Sequence, residues 1–224
     1  MITFALLPVA FLATGLFIRE EYIGTSMRNV LLKGTASALF VLIGAVNLFL
    51  SGDARMAYLL MAGLVLGALG DVFLAIRKLP ARNRVFWFLW GLGAFLFGHL
   101  CYLFVFLRMT MPPTFLFGIA FCFALFAFWG VKKLGCSFNG LQFPVFLYML
   151  IISAMGLSAF NAAFTLGTMT SIISAIAAAL FMVSDLVLCF MYFSAQDRRW
   201  FDALNLTTYY GAQLIFAMLI PLIA

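Results

Sequence analysis

Long, nearly unbroken apolar runs joined by short polar connections decide what this chain can become. A run of roughly 17–25 apolar residues is long enough to cross a hydrocarbon layer about 30 Å thick. The sequence contains about eight of them: 2–18, 30–50, 57–76, 85–107, 113–131, 141–160, 169–193 and 203–223. Backbone amides in a bilayer core must pair within their own segment, so each run is expected to be an α-helix. Composition agrees, with 67% hydrophobic and 9% charged residues, where soluble domains carry about 25% charged. The expected class is all-α, a polytopic membrane protein with about eight transmembrane helices in a single domain over residues 1–224. No soluble domain fits in the connections, so binding or catalysis has to be built from helix side chains and loop ends. The run Met1–Ile18 lacks a basic leader, which predicts a retained first helix and not a cleaved signal peptide.

The basic residues supply an orientation. Arg19 and Arg28 fall in the first connection, Arg77, Lys78, Arg82 and Arg84 in the third, Lys132 and Lys133 in the fifth, and Arg198 and Arg199 in the seventh. The alternate set holds only Arg55 and Arg108. By the positive-inside rule the odd-numbered connections are cytoplasmic and both termini lie on the other side. The net charge of +6 is then a topology signal, with anionic lipid headgroups as the natural neighbours. No long basic run interleaved with aromatics points to nucleic acid. The compact layout is the one expected of a bacterial inner-membrane protein; oligomeric state is left open.

Against this background two carboxylates stand out, in Gly70-Asp71 and Ser184-Asp185. A charged side chain at the centre of a membrane helix costs about 2.5–3.5 kcal/mol on insertion scales, so such acids mark candidate sites. Gly63, Gly67 and Gly70 recur at helical spacing, and Ser174, Ala177, Ala178 and Ser184 do the same beside Asp185. These small stripes let a neighbouring backbone approach, so both acids are expected to face protein, although such stripes also serve packing alone. At about 1.5 Å per residue, Asp71 lies roughly 9 Å from Arg77 and Asp185 roughly 12 Å from Phe193. Both helices are expected to run from outside to inside, which sets the acids at similar levels in the cytoplasmic half.

Polar partners are fewer. Twenty-eight residues separate Asp71 from His99 and also Asp185 from Gln213, the spacing of two parallel four-helix halves that each supply an acid and a polar partner. No extended similarity accompanies the match. His99 shares a helix face with Tyr102, yet a lone histidine in an apolar helix is more often a structural hydrogen-bonding group, and His99 lies about 22 Å from Arg84, deeper than either acid. Tyr209, Tyr210 and Gln213 form a polar cluster in the last run. Lys33 has two readings, snorkelling to the interface or holding an anionic headgroup. Cys101, Cys122 and Cys189 sit singly in different expected helices and Cys136 in a connection, without CxxC spacing, so they read as small core residues. A single histidine excludes a multi-histidine zinc site. There is no Gly-rich phosphate loop and no GxSxG elbow, and no metal or cofactor is expected.

In sum of motifs, the chain resembles the YhhN-like lysoplasmalogenase family of integral membrane proteins. The resemblance is carried by Ala68-Leu69-Gly70-Asp71-Val72-Phe73-Leu74, by Phe95-Leu96-Phe97-Gly98-His99 with Tyr102, by Tyr148 followed by Met155, by Phe181-Met182-Val183-Ser184-Asp185, and by Tyr209-Tyr210-Gly211-Ala212-Gln213. These motifs stand in family order, one per helix. In its second run the family typically shows a Lys-Pro pair, where this chain has Lys33-Gly34. The resemblance implies hydrolysis of the vinyl ether bond of a lysoplasmalogen, releasing a fatty aldehyde and glycerophosphocholine or glycerophosphoethanolamine. Proton delivery to the alkene carbon would generate an oxocarbenium ion, to which water adds. A close pair of buried carboxyls can share one negative charge, one acting as acid and the other as base. Asp71 and Asp185 are the expected acid and base, in either order. Lys33, His99, Tyr102, Ser184, Tyr209, Tyr210 and Gln213 are the expected substrate-binding residues, and the partners are a lysophospholipid and membrane lipids. Two alternatives stay open, a proton-coupled transporter and a hydrolase of another lysolipid. An intramembrane aspartyl protease is disfavoured, since Ala68 occupies the first glycine of its Gly-x-Gly-Asp signature.

Overall fold

A computed structural model describes residues 2–21, 27–51, 55–79, 83–195 and 199–223. They form eight helices and, among the described residues, no strand: α1 (Ile2–Glu21), α2 (Met27–Ser51), α3 (Arg55–Lys78), α4 (Arg84–Met109), α5 (Phe115–Lys133), α6 (Gln142–Leu166), α7 (Met169–Phe193) and α8 (Arg199–Ile223). Seven of them, α2 to α8, are long and apolar enough to cross a bilayer, and the chain is an integral multi-pass membrane protein. Two of the residues that set the expected orientation, Arg82 and Arg198, lie outside the described residues.

Most helices overrun their apolar runs. Helix α2 starts three residues before 30, α6 continues six past 160 and α8 starts four before 203. Polar residues at a helix end keep their heads in the wet interface while the backbone goes on hydrogen-bonding, so hydropathy stops before the helix does. The end of α6 is set by Gly167 at φ 61°, a left-handed cap in which glycine carries no Cβ penalty. Thr168 follows at once and its Oγ1 accepts the Ser171 N–H at 3.2 Å, starting α7. A two-residue turn therefore joins α6 to α7.

The chain divides into two compact units, one made of Met1–Cys101 with Gln213–Ala224, the other of Tyr102–Ala212. The division falls inside α4 and inside α8, so these units are not the four-helix halves that the equal spacings outline. In the first unit α1 packs on α2 and α2 on α3. The glycine stripe of α3 receives the early part of α4. A Cβ on Gly98 would stand 3.4 Å from the Gly63 carbonyl oxygen, one on Gly91 3.4 Å from that of Gly70, and one on Gly70 only 2.8 Å from the Phe95 ring. Small residues thus face small residues where two backbones come close. At the far end of α2, Asn47 Nδ2 donates to the Ala217 carbonyl at 2.9 Å.

In the second unit α5 packs on α6 and α6 on α7. A buried cluster of Ala124, Val131, Cys136, Phe138, Val145, Met149 and Cys189 holds the α5–α6 connection against the end of α7. An aromatic series runs from Tyr102 to Phe181 (ring centroids 6.0 Å apart), on to Tyr209 (5.4 Å) and to Tyr210 (5.1 Å). Helices α7 and α8 are tied by Asn205, whose Nδ2 donates to the Ser184 carbonyl at 2.8 Å and to Ser184 Oγ at 2.9 Å.

Candidate functional site

In the first unit Asp71 sits six residues before Arg77 on α3, with 2% of its side chain exposed. Two donors on α2 meet it. Lys33 Nζ stands 3.1 Å from Oδ1, and Ser37 Oγ donates to Oδ2 at 2.6 Å. Lys33 and Ser37 are four residues apart, hence neighbours on one helix face. They begin six residues into α2, and Asp71 lies seven before the end of α3, so the two consecutive, packed helices bring them level. Burial of a charge is costly unless it is paired and hydrogen-bonded, and here both carboxylate oxygens have a partner. The Lys33 side chain is itself only 14% exposed. Its charge is used inside the protein, a role that neither the snorkelling nor the headgroup reading foresaw.

In the second unit Asp185 is half-buried on α7. The Tyr148 hydroxyl, from α6, donates to Asp185 Oδ2 at 2.6 Å. Tyr148 lies six residues into its helix and Asp185 eight before the end of the next, the same hairpin logic as at Asp71. Tyr148 is buried, and a phenol in that position offers the carboxyl a hydrogen bond without a charge. One residue back, Ser184 is buried and engaged with Asn205, accepting from its Nδ2 and lying 3.3 Å from its carbonyl, to which Ser184 Oγ donates.

The expected site residues therefore divide. Lys33, Asp71, His99 and Gln213 belong to the first unit, and Tyr102, Ser184, Asp185, Tyr209 and Tyr210 to the second. Lys33 and Asp71 are brought into contact; Tyr102, Tyr209 and Tyr210 share the aromatic series around Phe181. His99 and Gln213 are fully enclosed, at 1% and 0% exposure. Three polar residues beside the acids were not foreseen in a site role. Ser37 could have been found as the residue one turn on from a lysine in an apolar helix. Tyr148 carries part of the family resemblance but no role was drawn from it, and Asn205 has no local signal. No group of three His, Cys, Asp or Glu side chains able to hold a metal occurs among the described residues.

Buried acids with donors from the preceding helix could belong to a pump, a protease or a lipid enzyme. The sequence comparison narrows this, because the model of the YhhN family matches residues 28–220. The chain belongs to the YhhN family. The matched region runs from the first turn of α2 to the last turn of α8, so it takes in both acids, Lys33, Ser37, Tyr148 and Asn205. No curated protein matches the chain significantly. No solved structure does so either.

Proposed function

We propose that this YhhN-family chain is a lysoplasmalogenase, an intramembrane hydrolase that cleaves the vinyl ether bond of a lysoplasmalogen to a fatty aldehyde and glycerophosphocholine or glycerophosphoethanolamine. The observation that carries the proposal is the pair of membrane carboxyls within the family-matched region, each given a donor of a different kind by the preceding helix. Vinyl ether hydrolysis needs a proton donor and a group that tolerates, then exploits, developing positive charge. Asp71, accepting from an ammonium and a hydroxyl, has the surroundings of a carboxylate. Asp185, met by a phenol, is assigned the acid role.

In the first step the Asp185 carboxyl delivers its proton to the alkene carbon remote from the ether oxygen, and the C=C electrons form the new C–H bond. The adjacent carbon becomes an oxocarbenium ion. The Asp71 carboxylate stabilises that cation and then takes a proton from the attacking water, as the base of a carboxylate pair does in glycoside hydrolysis. Collapse of the hemiacetal breaks the carbon–oxygen bond to the glycerol, which leaves with a proton, and the aldehyde remains. Lys33 and Ser37 hold Asp71 in place, and Tyr148 holds Asp185. His99, Tyr102, Ser184, Tyr209, Tyr210 and Gln213 are proposed to contact substrate or the reacting water. The substrate is a membrane-dissolved lysophospholipid, with its headgroup at the cytoplasmic interface near Arg77 and Lys78, in a bacterial inner membrane with both termini on the non-cytoplasmic side.

The test is mass-spectrometric product analysis of detergent-purified protein given lysoplasmenylcholine or lysoplasmenylethanolamine, beside a saturated-ether analogue. Aldehyde from the vinyl ether alone supports the proposal. Release of fatty acid from an ester lysolipid, or substrate-linked proton flux in sealed liposomes without product, would replace it with another lysolipid hydrolase or a transporter.

A further inference from the structure

Away from the acids' own donors, the second unit contains a pair of thiols. Cys136 lies in the α5–α6 connection, directly after Gly135 at φ 97°, and Cys189 lies on the last full turn of α7. Both are buried, at 5% and 8% exposure, and both belong to the one packed cluster that joins the connection to α7. Contacts of the residues around them hold the two segments together. The Ser137 N–H donates to the Phe193 carbonyl at 2.7 Å, and the Phe138 and Phe193 rings meet edge to face at 5.0 Å. The Cys136 N–H donates to the Val131 carbonyl at 3.0 Å. Cys189 is one helical turn from Asp185, and Met149, in the same cluster as both thiols, directly follows the Tyr148 that donates to Asp185.

We propose that Cys136 and Cys189 are a modification site, a thiol pair that closes reversibly into a disulfide and fastens the α5–α6 connection to α7 one turn from Asp185. The oxidant is a peroxide, small and uncharged enough to reach a buried pair. The sulfur of one thiolate attacks a peroxide oxygen, the O–O bond breaks, hydroxide leaves and a sulfenic acid forms. The second sulfur then displaces that hydroxyl, which departs as water, and the S–S bond closes. Two thiols and one hydrogen peroxide give one disulfide and two waters. A thiol reductant reverses the step by exchange. Burial pushes the Cys136 thiol above its ordinary value, so thiolate is scarce at neutral pH and closure quickens as pH rises. Closure draws the sulfurs to about 2.05 Å with a fixed dihedral, which shifts the end of α7 against the connection and disturbs the Tyr148–Asp185 contact. That effect on turnover rests on the function proposed above; formation of the bond does not.

The experiment treats detergent-purified full-length protein with hydrogen peroxide, caps remaining thiols with N-ethylmaleimide and maps peptides without reduction. The expected result is a cross-linked Cys136–Cys189 peptide about 2 Da lighter than the two thiol peptides together, lost on adding dithiothreitol, with Cys101 and Cys122 still alkylated. Vinyl ether turnover should fall with the cross-link and return with the reductant, while the Cys136→Ser protein keeps its activity under peroxide. Alkylation of both Cys136 and Cys189 after a peroxide dose that oxidises the exposed methionines would overturn the proposal, as would a cross-link to Cys101 or Cys122. A cross-link with unchanged turnover in an active enzyme would overturn the control of Asp185. A cross-link in a protein without vinyl ether activity would uphold the thiol pair and sink the lysoplasmalogenase instead.

Discussion

Asp71 and Asp185 are the same residue in corresponding places, yet their surroundings differ. Asp71 stands seven residues and Asp185 eight before the end of its helix, and each is met by a side chain six residues into the preceding helix. The sequence separations are nearly equal, 38 residues from Lys33 to Asp71 and 37 from Tyr148 to Asp185. What differs is the donor. Asp71 accepts from an ammonium and a hydroxyl; Asp185 accepts from a neutral phenol. An antiparallel helix hairpin thus fixes where an acid is met from the preceding helix, and one side-chain choice on that helix fixes whether this donor carries a charge. Two copies of one geometry can in this way supply two chemical roles.

The largest expected effect comes from the acids themselves. Asp71→Asn and Asp185→Asn should each lower vinyl ether turnover by roughly 10²–10⁴-fold, the usual worth of a positioned acid or base, with gel filtration and helical content unchanged. Full activity in either variant would remove that acid from the chemistry and reduce the comparison to one of packing. Next comes the contrast in donors, read as stability. Lys33→Met leaves a buried carboxylate without its cation and should cost about 3–5 kcal/mol. Tyr148→Phe deletes an interhelical hydrogen bond of the kind that averages about 0.6 and reaches about 1.7 kcal/mol in membranes. Denaturant unfolding of both variants in one detergent measures the gap. If the Lys33→Met/Asp71→Asn double variant is no more stable than Lys33→Met alone, the charge at Asp71 is not what the lysine neutralises. Asn205→Ala should lower stability within the same range of about 0.6–1.7 kcal/mol. It should leave KM unchanged if Ser184 ties α7 to α8, whereas a raised KM in Ser184→Ala would favour the substrate-binding role.

How far all this was legible follows from which interactions are local. Helix number and order can be read because apolar runs in lipid have one backbone solution; the end of α6 is marked by Gly167 and the start of α7 by Thr168. The acids are conspicuous because a carboxyl is expensive where its neighbours are apolar. Their partners are not conspicuous, since Lys33 and Asp71 meet only once α2 lies against α3, and nothing in the residues around Lys33 distinguishes an internal ion pair from a side chain reaching for the interface. Tyr148 hides for a different reason, because a tyrosine in an aromatic-rich helix carries no signal of its own. At the starts of α2, α3 and α8 and at both ends of α4, Arg or Met continues the helix past its apolar run, whereas α6 continues through Asn161 and Thr165 as far as Gly167.

The two regions also differ in how rigidly they are packed. A Cβ on Gly70 would fall 2.8 to 2.9 Å from three atoms of the Phe95 ring, a flat group with no flexible end to swing aside. A Cβ on Gly156 would collide instead with the thioether of Met182, whose unbranched side chain can move to another rotamer. Overpacking costs about 1–3 kcal/mol where neighbours cannot yield, so Gly70→Ala should lie in that range and Gly156→Ala below it. Gly93→Ala, with nothing within 4 Å of its new methyl, is the control that reports helix propensity alone and should be neutral or slightly stabilising. Because Gly70 directly precedes Asp71, its alanine variant should also lose turnover out of proportion to its stability, as α4 is pushed away from the turn that carries the acid. Equal losses at Gly70 and Gly156 would mean that the close crossing of α3 and α4 has no special part in holding Asp71, and that the difference between the two acids lies in their donors alone.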